Sequence, residues 1–463
     1  MQRLFDEVST LDKRCYEEFG LSEDILMEHA ANGIAMYIRE NFSKNSKIVI
    51  ACGSGNNGAD GLACARLLHG DYKVSIFYVK KPKSKMALLQ EKRVKSLKIK
   101  QCKKLQKCDV LIDAIIGTGF NGDFTPDMKI TMKELNNLEA FKIACDIPSG
   151  LKQNGECLEE TFVADISLTM GALKKSMYLD MTKDFIGKIK VINLGLSREI
   201  YEIYSNWKLL DLDDLKLPCR TLKNSHKGLF GHLSLACGEK SGASIMSAKS
   251  ALRFGSGLVT LIGFEDISIP HSIMYSHELP KSTTALALGM GLGNEFSDIE
   301  LDRFLDNSFP LILDADIFYN KKIIQILNRK ELVLTPHAKE FVSLLKLTKI
   351  ADISVDDLQK KRFIYVEKFC KKFRDVTLLL KGANTIIGKN KEFFINPHGT
   401  SVLAKAGSGD VLSGLIGSLL AQGHGCLDAT INASLSHTKL ALNYQGADFS
   451  LTPDDLIDGI CNL

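Results

Sequence analysis

The chain lacks the features of a membrane or exported protein. None of its 463 residues belongs to a stretch approaching the roughly 20 apolar residues that span a bilayer, and the run VLSGLIGSLLA is short and interrupted by glycine. The N-terminal segment MQRLFDEVSTLDKRC carries scattered charges and no apolar core of a signal peptide. We therefore expect no membrane partner and a cytoplasmic location.

Paired cysteines and a large charge excess are also missing. The twelve cysteines are dispersed and include no C-x-x-C pair, which argues against a disulfide framework and against zinc ligands at the usual spacing. The formal net charge is +4, with 45% hydrophobic and 25% charged residues. This balance is typical of a globular protein and gives no indication of nucleic acid as a partner, and the dispersed cysteines indicate a reducing compartment.

The segments that are present alternate between strand and helix patterns. KIVIAC (47–52) is typical of a buried strand, and residues 25–42 carry a helical apolar stripe. The alternation breaks over residues 195–228 and then restarts. We predict an α/β protein with two domains, over residues 1–210 and 211–463, the first a doubly wound parallel sheet with helices on both faces.

A glycine-rich turn follows the strand KIVIAC. Within ACGSGNNGADG (51–61), Gly53, Gly55 and Gly58 match the G-x-G-x-x-G spacing of dinucleotide-binding turns, and a helix is expected to begin near Leu62. Glycines let a ligand approach the backbone, and a helix start offers free N–H groups. A redox Rossmann site also needs an acid at the end of the next strand, which here ends in FYVKKPK. The turn therefore favours nucleotide or anion binding over a dehydrogenase.

Polar residues follow two later strands of the first domain. LIDAIIGTGFNGDF places Asp113 ahead of a glycine-rich loop, and ACDIPSG carries Asp146. Because ligands of doubly wound sheets bind where strand ends meet, Asp146 and Asp60 are candidates for proton transfer. The oxygen ligands suited to a hard cation are Asn57, Asp113 and Ser149. Each of these residues also fits a helix cap or a turn, which leaves both interpretations open.

AKAGSGDVLSG (404–414) carries the sharpest signal of the second domain. Gly407 and Gly409 lead into a helix whose first turn holds Asp410. Backbone N–H groups there could stabilise a phosphoryl group in transit, and Asp410 could accept a proton from a hydroxyl. This resembles the anion hole and base of the ribokinase-like superfamily, with a helix-capping aspartate as the alternative. No G-x-x-x-x-G-K-[ST] loop is present, so a nucleotide would be held differently.

Other strand ends of the second domain are also polar. LLLKGANTIIG places Lys381 and Thr385 in a strand–turn–strand unit suited to nucleotide phosphate or adenosine. LTPHAKEF places His337 as a substrate contact or as a satisfied turn histidine. Asp314 and Asp316 in LDADIF are either polar site residues or loop caps, and LGMGLG is a flexible glycine loop.

In this order, the motifs resemble the bifunctional NAD(P)H-hydrate repair enzyme family. The resemblance extends from LMEHAANG, CGSGNNGADGLACARLL, DAIIGTGF and DIPSG to GMGLG, LDAD, LTPHAKEF, LKGANT and AGSGDVLSG. It implies a Rossmann-like NAD(P)HX epimerase domain followed by a ribokinase-like, ADP-dependent NAD(P)HX dehydratase domain. The first would equilibrate the 6R and 6S epimers of the hydrate, and the second would convert the 6S epimer to NAD(P)H with release of AMP and phosphate.

The resemblance also implies site residues. In the first domain the substrate would contact Asn56, Asn57, Gly58, Ala59, Asp60, Gly117, Thr118, Gly119, Phe120, Asn121, Gly122, Asp123 and Asp146. Potassium would bind Asn57, Asp113 and Ser149. In the second domain the hydrate would contact Ala243, Gly291, His337 and Asp410, and ADP would contact Lys381, Gly382, Ala383, Asn384, Thr385 and Gly409. Asp146 and Asp410 would be catalytic, and Mg²⁺ is expected in the dehydratase step.

Some positions depart from the family pattern. Ala59 stands where a glycine is usual, Met290 replaces a proline, and Ala338 with Lys339 replaces the Pro-Gly that normally follows the histidine. Two alternative functions remain: a vitamin or sugar kinase fused to a nucleotide-binding domain, and a nucleotide-sensing protein without turnover. We expect small-molecule substrates and a homo-oligomer.

Overall fold

The chain divides into two compact units. The computed structural model describes residues 1–221, 223–263, 267–293 and 297–463. The N-terminal unit is Gln2–Ser205, and the C-terminal unit comprises Met1 and Asn206–Leu463. Both are α/β, which confirms the predicted class. Among the described residues, no helix combines the length and apolar character needed to cross a bilayer.

The N-terminal unit alternates strands and helices. Its strands are β1 (Gln2–Phe5), β2 (Lys47–Cys52), β3 (Lys73–Tyr78), β4 (Lys100–Cys102), β5 (Val110–Ala114), β6 (Phe141–Cys145), β7 (Ile166–Met170), β8 (Leu173–Lys174) and β9 (Lys188–Ile192). Its helices are α1 (Ser9–Glu18), α2 (Glu23–Asn41), α3 (Asn56–Leu68), α4 (Lys85–Ser96), α5 (Pro126–Asn137), α6 (Lys183–Ile186) and α7 (Arg198–Tyr201).

Parallel pairing in this unit creates a crevice at one edge of the sheet. The strand order is β4-β3-β2-β5-β6-β7-β9, and all of these neighbours are parallel. The chain runs outward from β2 in one direction and resumes on the other side of β2 at β5. Ligands of doubly wound sheets bind at such a reversal, beyond the carboxyl ends of the strands. The turns after β2 and β5 therefore define the expected site.

The C-terminal unit follows the same principle with a longer sheet. Its strands are β10 (Trp207–Leu209), β11 (His232–Ala236), β12 (Leu258–Ile262), β13 (Met274–Ser276), β14 (Ala285–Leu288), β15 (Leu311–Leu313), β16 (Leu332–Leu334), β17 (Val376–Leu380), β18 (Thr385–Lys389) and β19 (Glu392–Asn396). Its helices are α8 (Ser241–Arg253), α9 (Asp298–Leu305), α10 (Ile323–Ile326), α11 (Ala338–Leu347), α12 (Val355–Lys360), α13 (Arg362–Lys372), α14 (Ser408–Ala421), α15 (Cys426–Asn443) and α16 (Pro453–Gly459).

The order of these strands again contains a reversal. Within this unit the order is β13-β12-β11-β14-β15-β16-β17-β18-β19-β10. Pairing is parallel from β13 to β17 and antiparallel through the β17-β18-β19 hairpins. The reversal lies between β11 and β14, so the turns after these two strands are the expected ligand positions.

Small residues bring helices close to their neighbours in both units. A Cβ on Gly61 of α3 would lie 2.6 Å from the Cβ of Ala114 in the sheet. A Cβ on Gly414 of α14 would lie 1.9 Å from the Oγ of Ser250 in α8. Real Cβ atoms do not approach so closely, so glycine is required where these helices carry the site-forming turns.

Candidate active sites

The turn after β2 runs directly into α3. A Cβ on Gly53 would lie 1.8 Å from the carbonyl oxygen of Ile115, and one on Gly58 would lie 2.2 Å from the carbonyl oxygen of Gly53. The helix starts at Asn56, so the predicted start near Leu62 was wrong. The Gly and Asn residues that discourage isolated helices are tolerated here because they allow α3 to pack against the strand ends. The first helical turn therefore offers N–H groups beside the crevice.

A cavity of about 460 Å³ opens where the strand ends of the N-terminal unit meet. The predicted residues that line it are Asn56, Asn57, Asp60, Gly117, Thr118, Gly119, Phe120 and Asp146. Gly58 and Ala59 are buried in α3, whereas Asn121, Gly122 and Asp123 lie in an exposed part of the loop. Asp123 there pairs with Lys152 at 3.3 Å. The strand ends thus bring eight of the thirteen predicted substrate contacts to one cavity.

Helices α1 and α2 complete the cavity wall. They contribute Asp12, Tyr16 and Glu23 in addition to apolar side chains. The hydroxyl of Tyr201 donates a hydrogen bond to Asp12 at 2.8 Å. Sequence reasoning missed these residues because they follow no strand. An acidic residue on the face of a short N-terminal helix has no local signal that distinguishes it from a solvated one.

Asp146 has an unusual backbone conformation at the end of β6. Its φ is +73°, in the left-handed region that non-glycine residues seldom adopt. The carboxylate Oδ1 accepts hydrogen bonds from the backbone N–H of Met170 at 3.0 Å and from Lys174 Nζ at 2.6 Å. The other oxygen, Oδ2, lies 3.8 Å from the position that a Cβ on Gly117 would occupy. The strained backbone therefore presents a carboxylate that is anchored on one side.

Asp60 lies in contrasting surroundings in the same cavity. Burial, followed by the charges of Asp146, Asp12 and Glu23, holds the pKa of Asp60 well above its ordinary value. Asp146 instead has a cationic partner in Lys174. A carboxyl with a raised pKa and a carboxylate paired with a cation suit proton donation and proton acceptance in one site.

Oxygen-bearing side chains meet behind the glycine loop. Asp113 is fully buried and accepts bonds from the N–H and Oγ of Ser149, each at 2.7 Å. Burial raises the pKa of Asp113 to about 6, although the bonds from Ser149 oppose this effect. Both polar atoms of the Asn57 amide are buried without a hydrogen-bond partner among the described residues. An unpaired buried amide next to this loop suits a polar ligand.

The C-terminal unit presents an N-terminal helix turn with free amides. Helix α14 begins at Ser408, and its N-cap is Gly407 at φ +88°. The N–H of Ser408 donates to the carbonyl of Lys405 at 3.3 Å. Within the described part of the chain, the N–H groups of Gly409 and Asp410 donate to no acceptor, and both residues are only partly buried. Two amides at a helix start are thus available to an anion.

Asp410 occupies the third position of this helix. The N-cap is Gly407, so the alternative reading of Asp410 as a capping residue was wrong. Burial, together with the nearby Asp314 charge, raises the pKa of Asp410 to about 6, while Lys381 opposes the shift. A carboxylate with this pKa is still ionised at neutral pH but is a stronger base than an exposed aspartate.

A partly buried ion pair connects three elements beside Asp410. Lys381 Nζ donates to Asp314 Oδ1 at 2.5 Å, and Ser413 Oγ donates to Asp314 Oδ2 at 2.6 Å. Lys381 Nζ also lies 3.2 Å from the position that a Cβ on Gly409 would occupy. Asp314 therefore holds the Lys381 ammonium next to the free amides. It also accepts from the N–H of Ala315, so it serves both as a loop cap and as a polar site residue.

The other predicted contacts lie at the reversal between β11 and β14 and in the connection from β17 to β18. A Cβ on Gly291, at φ +68°, would lie 3.1 Å from the Cβ of Ala243, so the reversal between β11 and β14 brings these two residues together. The residues that connect β17 to β18 are Lys381, Gly382, Ala383, Asn384 and Thr385 at the start of β18. Asn384 is buried, and Thr385 Oγ1 donates to the Gly382 carbonyl at 3.3 Å.

His337 has a structural role in this conformation. It caps α11, where Nδ1 accepts from the N–H groups of Lys339 at 3.1 Å and Glu340 at 3.3 Å. Its Nε2 lies 3.1 Å from Glu340 Oε1. Burial, followed by the Lys381 charge, lowers the pKa of His337, and burial raises the pKa of Glu340 to about 7. The ring is thus neutral with its proton on Nε2. Both nitrogens are engaged, and the substrate contact stays a prediction.

Known proteins match both units. The family model described as YjeF-related protein N-terminus matches residues 23–176, and the model described as NAD(P)H-hydrate dehydratase matches residues 233–462. A structure of the ADP/ATP-dependent NAD(P)H-hydrate dehydratase of Bacillus subtilis, co-crystallised with ATP and Mg²⁺, covers 54% of this chain and 94% of its own, at 25% identity and a TM-score of 0.47.

Two curated relatives match over the whole chain. The bifunctional NAD(P)H-hydrate repair enzyme of Helicobacter pylori is 44% identical over 474 residues, with 100% of both chains covered. The enzyme of the same name from Dictyoglomus turgidum is 30% identical over 500 residues, covering 98% of this chain and 96% of its own. With both family models and the full-length relatives in agreement, the chain belongs to the bifunctional NAD(P)H-hydrate repair enzyme family.

Proposed function

We propose that this protein repairs NADH and NADPH that have gained water at C6 of the nicotinamide ring. The N-terminal unit interconverts the 6R and 6S epimers, and the C-terminal unit dehydrates the 6S epimer with ADP. The observation that carries this proposal is the first turn of α14, where the carboxyl of Asp410 accompanies the free backbone N–H groups of Gly409 and Asp410. This turn lies in the range matched by the dehydratase model. Such a site suits phosphoryl transfer onto an alcohol.

Phosphorylation explains how a kinase-like site would serve a dehydratase. Hydroxide is a poor leaving group, whereas phosphate is a good one. Asp410 accepts the proton of the C6 hydroxyl while the hydroxyl oxygen attacks the β-phosphorus of ADP. The bond from that phosphorus to the AMP oxygen breaks at the same time. The C6–O bond then breaks with assistance from the ring nitrogen, phosphate leaves, and loss of a proton from C5 restores the double bond. The free amides stabilise charge on the transferred group.

The nucleotide would lie between the helix turn and the β17–β18 connection. Lys381 is held by Asp314 beside Gly409, where its ammonium would meet the phosphates while Gly382 to Thr385 line the rest of the nucleotide. Among the described residues, no group of three His, Cys, Asp or Glu side chains is arranged to hold a metal ion. Mg²⁺ would bind mainly through the nucleotide phosphates, whose charge it neutralises when bound.

The epimerase site would use the carboxyls of the N-terminal cavity. The amides at the start of α3 suit the pyrophosphate of the hydrated dinucleotide. The reacting ring would then lie between Asp146, which is paired with Lys174, and Asp60, whose raised pKa favours the neutral form. Proton acceptance by Asp146 and donation by Asp60 would assist the interconversion at C6.

A potassium ion would complete this site. The residues fit a hard cation because their donors are oxygens and because the Asn57 amide is buried without a partner among the described residues. Asn57, Asp113 and Ser149 would hold the ion, which would fix the Gly117 loop against α3. We also propose a cytoplasmic location, in keeping with the dispersed cysteines, and a homo-oligomeric state, which the mass of the protein in solution tests directly.

The test uses the full chain and chromatographically separated epimers. Without nucleotide, we expect either pure epimer to reach the same mixture much faster than in buffer alone. With ADP and Mg²⁺, both epimers should be converted fully to NADH, with AMP and phosphate released. A stable phosphorylated dinucleotide without NADH would instead support the kinase alternative and contradict the proposal.

A further inference from the structure

A buried lysine lies directly behind Asp146. Lys174, in the two-residue strand β8, is 1% exposed, and no sequence motif pointed to it. A buried ammonium is costly unless it is paired and hydrogen-bonded. Its presence next to a cavity carboxylate therefore requires an explanation.

All three protons of the Lys174 ammonium are used. Nζ donates to Asp146 Oδ1 at 2.6 Å, to Thr169 Oγ1 at 2.8 Å and to the Met170 carbonyl at 3.1 Å. An ammonium has three donors and no acceptor, so none remains for a substrate. Lys174 is also absent from the cavity lining. Any effect of Lys174 on the reaction must therefore pass through Asp146.

The two oxygens of Asp146 differ as a consequence. Oδ1 accepts from Lys174, from the N–H of Met170 at 3.0 Å and from Thr169 Oγ1 at 3.3 Å. Oδ2 accepts no hydrogen bond among the described residues and faces the Gly117 loop, 3.8 Å from where a Cβ would stand. The closed network on Oδ1 fixes the carboxylate plane and aims Oδ2 at the cavity.

We propose that Lys174 is a positioning residue of the epimerase site: its hydrogen bond holds the Asp146 carboxylate in place and directs Oδ2 at the substrate. The inference rests on the proposed role of Asp146. Without Lys174, Asp146 would lose its cationic partner and keep the acidic neighbours Asp12 and Asp60. The buried Tyr201 also lies near this cluster but carries no charge at neutral pH. Lys174 thus supplies the positive charge that this part of the cavity needs.

The experiment compares Lys174→Met with Lys175→Met in the full chain. Lys175 is the neighbouring lysine, is also buried, and pairs with Asp6 at 2.8 Å outside the site. We expect Lys174→Met to lower kcat for epimer exchange by about 100-fold, the scale of acid–base assistance, with KM changed less than about threefold. In the plot of its kcat for epimer exchange against pH, the decline on the acidic side should move to higher pH. Lys175→Met should behave like the wild type.

A second variant tests the network if Lys174→Met does not fold. Thr169→Val keeps shape and removes the hydroxyl that bonds both Lys174 and Asp146. We expect a loss of about threefold to tenfold, in proportion to one hydrogen bond, with the decline on the acidic side shifted in the same direction. Unchanged exchange and an unchanged profile in Thr169→Val would overturn the inference.

Comparison with Asp146→Asn distinguishes this inference from the proposed function. If Lys174 acts through Asp146, a variant with both Lys174→Met and Asp146→Asn should exchange the epimers no more slowly than Asp146→Asn alone. A multiplicative loss in the double variant would overturn the inference, as would fast exchange by Lys174→Met. Wild-type exchange by Asp146→Asn would instead contradict the proposed role of Asp146 itself.

Discussion

Replacing Asp410 by Asn gives the most informative single change. The amide keeps the size of the side chain and cannot accept the hydroxyl proton as a base. General-base assistance is worth about 10²–10⁴-fold in rate, or roughly 3–5 kcal/mol. We therefore expect ADP-driven dehydration by Asp410→Asn to fall by at least about 100-fold, while epimer exchange in the same chain is retained. The control is Asp428→Asn, which changes an exposed aspartate at the same third position of another helix, α15.

The raised pKa of Asp410 adds two signatures. Because only the ionised form is a base, wild-type dehydration should increase with pH through about 6 and then level off. The same shift means that the ionised carboxylate destabilises the fold above about pH 6, and that this cost disappears below the unfolded-state value of 3.8. Asp410→Asn should therefore melt no lower than the wild type at pH 7, and any gain in Tm should fade as the pH falls.

The measurement is NADH formation from the 6S epimer with ADP, together with melting curves at several pH values. Dehydration by Asp410→Asn above about a tenth of the wild-type rate, a loss of less than about 1.4 kcal/mol, would refute the role of Asp410 as the base. An equal loss in Asp428→Asn would show that the effect is not specific to this site.

Three further changes test the rest of the account. Asp146→Asn should leave the 6S epimer as the only one that reacts rapidly with ADP; a single fast phase that consumes both epimers would contradict the assignment. Gly53→Ala should lower the free energy of unfolding by about 1–3 kcal/mol, because its Cβ would lie 1.8 Å from the Ile115 carbonyl oxygen, whereas Gly55→Ala meets no atom within 4 Å; equal melting of the two variants would argue against this packing. Lys381→Met should raise KM for ADP by about tenfold, a scale of 1.4 kcal/mol, and leave epimer exchange unchanged; an unaltered KM would remove Lys381 from the nucleotide site.

Strand-end reasoning predicted much of both sites. Parallel strands deliver their carboxyl ends to one edge, so Asp113, Asp146 and Ser149 could be grouped before their contacts were seen. The glycine-rich turn of residues 404–414 separately predicted that Asp410 lies in the first turn of a helix. These predictions depended on local sequence patterns. In a parallel sheet, the residues that follow neighbouring strands lie close together at one edge.

The rest of the two candidate sites depends on tertiary contacts that no local sequence pattern indicates. Asp12 reaches the cavity from α1, and Lys174 reaches Asp146 from a two-residue strand. The early start of α3 follows from close packing of Gly53 and Gly58, which helix propensity alone does not reveal. His337 was compatible with two roles in the sequence, and its capping geometry appears only in the structure.

Phosphorylation of the C6 hydroxyl before the C6–O bond breaks can be followed with an oxygen-18 label. Hydrate prepared in labelled water carries the isotope at C6, and the full chain is then supplied with ADP in ordinary water. If the hydroxyl is phosphorylated first, each inorganic phosphate released carries one labelled oxygen, and NADH and AMP form in equal amounts. Label in water and none in phosphate would contradict this order of steps.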